Sequence, residues 1–174
     1  MMPQEEPRLI GETLILTPIT SKDAKELCEC LQDPRISETT SVPFPYTLDM
    51  ARENLAESEE KWAKGSADFA IRSAADLALL GRIELIRSPR TPEACELAFF
   101  IRQDQWGKGF MTEAVGLALD YAFGHMGVER VEWRAHVGNW GSWKPVWRNG
   151  FTREGVRRCL EGPDQWTAAL LKTD

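Results

Sequence analysis

A short glycine-containing stretch near the middle of the chain constrains the fold more than any other feature. Residues 106–114 read Trp-Gly-Lys-Gly-Phe-Met-Thr-Glu-Ala and follow an apolar run at 97–101 that is typical of a strand. Beyond the glycines, apolar residues recur at helical spacing, at Met111, Ala114, Val115, Ala118, Ala122 and Met126. The pattern predicts a strand, a glycine loop and a helix. The loop N–H groups and the positive end of such a helix favour a bound phosphate.

The spacing of the glycines narrows the kind of phosphate loop. Gly107-Lys108-Gly109 lacks the third glycine of a dinucleotide fingerprint, and the sequence contains no G-x-x-x-x-G-K-[ST] loop. Two glycines before a helix also fit a tight turn that carries a solvated lysine. The loop alone leaves both interpretations open.

A second set of residues further along the chain bears on this choice. Asn139 and Ser142 are followed by Gly-Phe at 150–151 and Glu-Gly at 154–155. Together with the Trp-Gly-Lys-Gly stretch, and in this order, they resemble the GNAT superfamily of N-acetyltransferases, specifically its RimJ/RimL branch of ribosomal-protein N-terminal acetyltransferases. The segment Pro-Phe-Pro-Tyr-Thr at 43–47 also fits that branch. The resemblance therefore covers most of the chain.

This resemblance implies a fold and an activity. The fold would be α+β, a GNAT fold with a mostly antiparallel central sheet, splayed central strands and helices on both faces, in a single domain spanning 1–174. The activity would be acetyl-CoA-dependent transfer of an acetyl group to a primary amine, by direct attack of the amine on the thioester. The candidate acceptors are a protein N-terminal α-amine and a small amine. The alternative from another class is a catalytically silent acyl-CoA-binding module.

Length and composition agree with one globular domain. A chain of 174 residues is long enough to bury a substantial core, and its 43% apolar and 28% charged residues are typical of such a domain. No apolar run approaches the ~20 residues that span a bilayer. The polar, acidic start at 1–6 does not resemble a signal peptide. We therefore expect a cytoplasmic protein without a membrane partner.

Charge and cysteine content limit the other partners. The net charge is −6 and there is no sustained basic stripe, which disfavours direct nucleic-acid binding. The four cysteines are scattered and form no ligand cluster with either histidine. We expect reduced packing thiols and no metal. A monomer and a homodimer both remain open.

Hydrophobic periodicity predicts the elements around the loop. We expect strands at 14–16, 69–71, 77–86, 94–101, 128–137, 151–160 and 166–171, with a hairpin between the second and third. Helices are expected from a cap at Ser21 to 31, from 47 or 49 to 64, from Met111 to the glycines at 124 and 127, and at 141–149. Asp33-Pro34 should break the first helix, and 39–46 should be a loop.

The resemblance assigns acetyl-CoA to three parts of the chain. The pantetheine arm would pair with the backbone of Phe99, Phe100 and Ile101. Asn139 would contact the amide arm, although beside a glycine it also fits a strand-end turn. A Cβ at position 109 would hold the pyrophosphate away from the loop N–H groups. The cradle for that pyrophosphate would consist of Gly107, Lys108, Gly109, Phe110, Met111 and Thr112.

Acetyl transfer to an amine needs a base for the ammonium and an acid for the departing thiolate. Many family members use a tyrosine as the acid, but its position holds Val146 here. The resemblance assigns the role to Ser142, which would also fit a helix cap. Glu161 has the spacing of the glutamate proposed as the base in that branch, and it also fits a solvated turn. Glu96, on the strand before the loop, is the rival base. A bound α-amine titrates near pH ~8, so positioning alone could also suffice.

The seven tryptophans are many for this length. Trp143 and Trp147, at i and i+4 of the predicted short helix, would share a face with each other, close to Trp140. Core packing is the first interpretation, ahead of an acceptor pocket or a dimer patch. Pro145 favours a helix start near Gly141, because proline is tolerated in a first turn. The acceptor site should use the loop at 39–46 and the C-terminal strands.

Overall fold

The computed structural model describes residues 6–174, so the start at 1–5, on which the signal-peptide argument rests, lies outside the described chain. The strands are β1 (Leu9–Ile10), β2 (Leu14–Pro18), β3 (Ala67–Ser73), β4 (Leu79–Arg87), β5 (Ala94–Ile101), β6 (Arg130–His136), β7 (Thr152–Arg157) and β8 (Gln165–Leu171). The helices are α1 (Ala24–Cys30), α2 (Pro34–Thr39), α3 (Leu48–Ala63), α4 (Phe110–Gly124) and α5 (Trp140–Arg148), with short 3-10 turns at Ser21–Asp23 and Gln103–Gln105.

The strands form one eight-stranded sheet in the order β1-β2-β3-β4-β5-β6-β8-β7. Within the described residues, β5 and β6 run parallel and the other neighbouring strands pair antiparallel. A parallel pair needs a crossover, and α4 supplies it. The mostly antiparallel sheet predicted from the sequence is confirmed.

The two central strands part halfway along their length. β5 and β6 pair from Ala94↔Arg130 to Leu97↔Trp133. Beyond that point β5 stays paired with β4 as far as Ile101, and β6 stays paired with β8 as far as His136. The strands therefore leave a gap between their carboxyl ends, as the splayed sheet of the sequence analysis predicts.

The side chains of the sheet form two apolar clusters, one on each face. α4 and α5 pack on one face against residues such as Phe69, Leu97 and Trp133. α1, α2 and α3 pack on the other face against Ala70 and Leu79. Alternate strand residues point to opposite faces, so each strand contributes to both clusters. Helices on both faces are thus confirmed.

Several helix starts differ from the predicted ones. The first turn is capped by Thr20 rather than Ser21, and the Asp23 carboxylate accepts a hydrogen bond from the Thr20 N–H at 2.9 Å. Asp33 starts a helix, α2, because its carboxylate accepts from the Arg35 N–H at 2.9 Å and Pro34 occupies the first helical position. From the sequence, Asp33-Pro34 was expected only to break the first helix.

Strand limits also shift. Leu77, predicted to begin a strand, lies in the preceding turn with φ of 61°, and β4 begins at Leu79. β7 ends at Arg157 rather than at 160. The turn residues between strands account for both differences, since apolar side chains there imitate strand periodicity.

Arg87 forms hydrogen bonds to three connecting segments at the end of the sheet opposite the gap. Its guanidinium donates to the carbonyls of Gly65, Pro92 and Met126 at 2.9, 2.5 and 2.9 Å. One side chain therefore joins the end of α3, the β4–β5 turn and the α4–β6 connection. Within residues 6–174, no helix is long and apolar enough to cross a membrane.

Candidate active site

The glycine loop lies between the end of β5 and the start of α4. Gly107 and Gly109 have φ of 76° and 81°, a left-handed conformation that side chains other than glycine rarely adopt. A Cβ built on either glycine would meet no atom within 4 Å. The glycines are therefore required by the backbone angle, and the space beside them is open. Lys108 is exposed and donates to the Gln105 side chain at 3.2 Å.

The N-terminus of α4 opens directly onto this space. Gly109 is its N-cap residue, and no side chain of the described residues caps it. The backbone N–H groups of Phe110, Met111 and Thr112 therefore remain free for an anion. The Met111 side chain is buried in the core, so this residue offers only its backbone.

Glu113, the glutamate of the loop motif, has a structural partner instead. Its carboxylate accepts a hydrogen bond from the Thr13 N–H at 2.9 Å and another from the Thr13 hydroxyl. This contact ties the turn before β2 to the first turn of α4. A Cβ built on Gly11 would lie 2.7 Å from the Glu113 carboxylate, so a side chain there would displace this contact.

The edge of β5 that faces the gap can be assigned by alternation. Arg102 donates its N–H to Leu80 on β4, whereas the Glu93 carbonyl accepts from residues at the start of β6. Hydrogen-bonding groups alternate along a strand, so Phe99 and Ile101 present theirs to the gap and Phe100 presents its own to β4. Of the three residues predicted to pair with the pantetheine arm, the backbones of Phe99 and Ile101 therefore face the gap and that of Phe100 does not. The Ile101 carbonyl already accepts from the Trp106 indole at 2.9 Å.

Asn139 and Ser142 meet at the start of α5, across the gap. The Asn139 side-chain oxygen accepts from the Ser142 N–H at 3.2 Å, so Asn139 is the cap of α5. The expectation that Ser142 caps the helix is wrong, because the helix begins at Trp140 and Ser142 lies within its first turn. The Ser142 hydroxyl oxygen instead accepts from the Trp133 indole at 3.1 Å. Val146 is fully buried in the core.

The two candidate bases, Glu96 and Glu161, line one cleft, on the face of the sheet opposite α4 and α5. Glu96 and Glu161 border an open space of about 700 Å³ between the α2–α3 loop and the β7–β8 hairpin. Glu96 is paired with Arg134, whose guanidinium donates to it at 2.7 and 3.2 Å. These hydrogen bonds raise the pKa of Arg134 above its usual value. The remaining lining includes Ser41, Arg157, Arg158, Cys159, Leu160 and Gln165.

The tryptophans of α5 have different environments. Trp143 is buried, with 9% of its surface exposed, while Trp140 and Trp147 are 54% and 60% exposed. Core packing, the first interpretation for these tryptophans, therefore holds for Trp143 and not for Trp147, although the two residues are four positions apart on α5. None of the three lines the cleft with the glutamates. Arg153 lies over the rings of Trp143 and Trp166, at 4.6 and 4.1 Å from their centroids.

Two residues at this site were missed by the sequence analysis. Trp133 and Arg134 lie in the strand predicted at 128–137, but neither was given a role from the sequence. Alternation along a strand predicts that these two neighbouring side chains point to opposite faces of the sheet. Their partners, Ser142 and Glu96, follow only from the three-dimensional arrangement. Among residues 6–174, no group of three or more His, Cys, Asp or Glu side chains could hold a metal ion.

The family follows from the sequence as a whole. A family model described as "Acetyltransferase (GNAT) domain" matches residues 13–152. The chain is 30% identical over 157 residues to a Bacillus subtilis (strain 168) protein described as "Probable N-acetyltransferase YjcK", and 86% of each protein is covered. The protein belongs to the GNAT family and is an N-acetyltransferase.

Solved structures show the same fold. The ribosomal L7/L12 α-N-protein acetyltransferase RimL, in complex with coenzyme A, matches with a TM-score of 0.86 and 16% identity, over 95% of this chain and 98% of that one. The microcin C7 self-immunity acetyltransferase MccE, in complex with acetyl-CoA and AMP, matches with a TM-score of 0.79 and 20% identity, over 92% and 93%. At these identities the likeness concerns the fold, and it confirms the predicted one.

Proposed function

We propose that this chain, acting as a single domain over 1–174, transfers the acetyl group of acetyl-CoA to the α-amine of a protein or peptide N-terminus, as in the RimJ/RimL branch. The observation that carries the proposal is the open edge of β5 beside the uncapped N-terminus of α4. An extended arm with amide groups and a diphosphate needs these two features side by side.

The residues present fit acetyl-CoA. The backbone N–H groups at 110–112 and the two left-handed glycines would hold the pyrophosphate. Phe99 and Ile101 would pair with the pantetheine arm along the open edge. Asn139 uses its oxygen as a helix cap, which leaves its amide N–H₂ to donate to that arm. When bound, acetyl-CoA supplies an activated thioester.

The acid and the base have separate positions in this proposal. Ser142 lies in the first turn of α5 at the gap and would give its proton to the sulfur as the C–S bond breaks. Glu161 would take the proton that the attacking ammonium loses. Glu96 is engaged by Arg134 and serves to hold that arginine at the cleft. Val146 offers no hydroxyl, so the acid must come from elsewhere.

The charged lining of the cleft supports a peptide acceptor. Its lining is charged, with Arg134, Arg157 and Arg158 beside the two glutamates, and it is open to solvent. A peptide end brings both an ammonium for a carboxylate and carbonyl oxygens for guanidinium groups. RimL, whose structure has this fold, acts on the α-amine of a ribosomal protein by its description.

The first test is calorimetric titration of acetyl-CoA into the native protein and two glycine variants. Gly109→Ala should weaken binding by about tenfold or more, equivalent to about 1.4 kcal/mol, because a Cβ enters the cradle. Gly127→Ala is the matched control, since Gly127 also has a left-handed φ, of 67°, and open space around it, but lies after α4. Equal weakening of acetyl-CoA binding in both variants, or no binding by the native protein, would show that the loop at Gly109 does not bind the pyrophosphate.

The second test concerns the acceptor. Free-thiol release would be measured with peptides that have free or blocked N-termini, and with small amines such as polyamines. Turnover with free peptides alone supports the proposal. Turnover with small amines alone would show that the acceptor is a small amine and not a peptide, and would leave acetyl transfer from acetyl-CoA unchanged. Tight acetyl-CoA binding without turnover on any amine would identify a silent acyl-CoA-binding module.

A further inference from the structure

One buried hydrogen bond joins the core of the sheet to the residue proposed as the acid. Trp133 is 1% exposed, and its indole N–H donates to the Ser142 hydroxyl oxygen at 3.1 Å. The Ser142 backbone N–H is held independently by Asn139 at 3.2 Å. Two contacts on different atoms therefore fix both the backbone and the hydroxyl oxygen of Ser142.

The direction of this bond determines what the hydroxyl can do. An indole N–H only donates, whereas a hydroxyl can donate one hydrogen and accept two. The Ser142 hydrogen therefore cannot point to Trp133. Within residues 6–174, that hydroxyl donates to no protein acceptor in the structure. Its hydrogen remains available to a group that enters the gap.

Trp133 is rigidly placed for such a role. It is the last β6 residue paired with β5, opposite Leu97, so it marks the point where the two strands part. On the other side it pairs with Ala168 of β8. Its ring packs against Trp143 with centroids 5.4 Å apart, inside the apolar cluster below α4 and α5. Movement of the indole would require the core to be repacked.

We infer that Trp133 is a positioning residue for acetyl transfer, which aims the Ser142 hydroxyl hydrogen into the gap and makes it a better proton donor. The inference rests on the proposed function. A donor bound to the hydroxyl oxygen stabilises the charge that develops there as the hydrogen leaves. Ser142 gives its proton to the sulfur while the C–S bond breaks, and it recovers a proton from water. The indole itself keeps its hydrogen throughout.

The kinetic test uses Trp133→Phe, which keeps an aromatic ring and removes the N–H. We expect kcat to fall by about tenfold, the lower end for loss of general-acid assistance, with the KM for acetyl-CoA changed less than about twofold. In a Ser142→Ala background the same substitution should cause no further loss, because the two groups act as a unit. Trp143→Phe, a neighbour in the same cluster, controls for lost packing, and thermal unfolding is recorded for all variants.

A spectroscopic test does not need an acceptor. The indole N–H signal of Trp133, assigned by its absence in Trp133→Phe, is followed by ¹⁵N NMR during titration with CoA and with desulfo-CoA. CoA should shift this signal in the native protein and leave it unshifted in Ser142→Ala. Desulfo-CoA should bind without the shift, since it lacks the sulfur that receives the hydroxyl hydrogen.

The outcomes separate the two ideas. The positioning role is wrong, and the proposed function stands, if CoA and desulfo-CoA both bind and shift the Trp133 indole signal equally. It is also wrong if the losses of kcat in Trp133→Phe and Ser142→Ala multiply in the double variant. If CoA does not bind the folded native protein, the proposed function fails and the positioning role fails with it. Equal loss of kcat in Trp143→Phe would reduce Trp133 to a packing residue.

Discussion

Arg134 on β6 holds the carboxylate of Glu96 on β5 at 2.7 Å, across the point where the two strands part. The pair lines the cleft that Glu161 borders from the β7–β8 hairpin. Two guanidinium hydrogen bonds occupy acceptor positions of the Glu96 carboxylate that a substrate ammonium would otherwise use. Among the described residues, Glu161 has no ion-pair partner. The geometry therefore favours Glu161 as the base.

Substitution of the two glutamates should separate their roles. We expect Glu161→Gln to lower kcat by about a hundredfold, the lower range for loss of a general base, and Glu96→Gln to lower it less. Glu132→Gln is the matched control, because Glu132 lies opposite Glu96 in the strand register but pairs with Arg130 outside the cleft. Steady-state rates with saturating acceptor give the answer. A larger loss in Glu96→Gln would reverse the assignment.

The contact between Glu113 and Thr13 predicts a stability effect rather than a binding effect. Glu113→Ala removes the acceptor of two hydrogen bonds and should lower the free energy of unfolding by about 2 kcal/mol. Urea unfolding measures it, with the exposed Asp120→Ala on the same helix as the control. Acetyl-CoA affinity should stay within about twofold, or about 0.4 kcal/mol, of the native value. A large loss of affinity in a stable variant would assign Glu113 to the cradle instead.

The sequence predicted an element of this fold well where residues close together in the chain determine its structure. The glycine loop before α4 follows from the residues at 106–114, and the left-handed φ of Gly107 and Gly109 explains why glycine stands there. The cap at Asp33 could also have been found, since Asp followed by Pro is a common helix start as well as a break. In these places local chemistry determines local structure.

Contacts between distant segments were not available from the sequence. Glu96 meets Arg134 only because β5 and β6 run parallel in one particular register, and periodicity within each strand does not determine that register. The bond between Trp133 and Ser142 likewise needs the packing of α5 on the sheet. The local pattern led to the loop and the family resemblance led to Ser142, but the partners of the site side chains came from the three-dimensional structure.

The buried ion pair between Arg82 and Asp68 should be among the most sensitive positions for stability. Arg82 donates to both carboxylate oxygens, at 2.8 and 2.6 Å, and both side chains are buried. Asp68→Ala leaves a buried guanidinium and should cost about 3 kcal/mol, the low end for a broken buried pair, because Glu84 remains 3.2 Å away. Asp104→Ala, which breaks the exposed pair with Arg102, should cost less than about 1 kcal/mol. Chemical denaturation measures both, and equal costs would contradict the argument.

The cysteines should divide into two reactivity classes. Burial raises the pKa of the Cys30 and Cys95 thiols to about 12 from an ordinary value of 9.0. Both are buried, whereas Cys28 and Cys159 are half-buried. Because the thiolate is the reactive species, Cys30 and Cys95 should react with a disulfide reagent only as the protein unfolds.

The same shifts give the protein a sensitivity to alkaline pH. The folded state keeps these two protons where the unfolded chain releases them, so their contribution to stability is complete below pH 9.0 and is lost as the pH rises toward about 12. Thiol titration near neutral pH, in native buffer and in denaturant, should show at most two rapid thiols and then all four. Repeating it at rising pH should show the slow pair reacting faster as the free energy of unfolding falls. Rapid reaction of Cys95 in the stable native state would contradict the burial that raises its pKa.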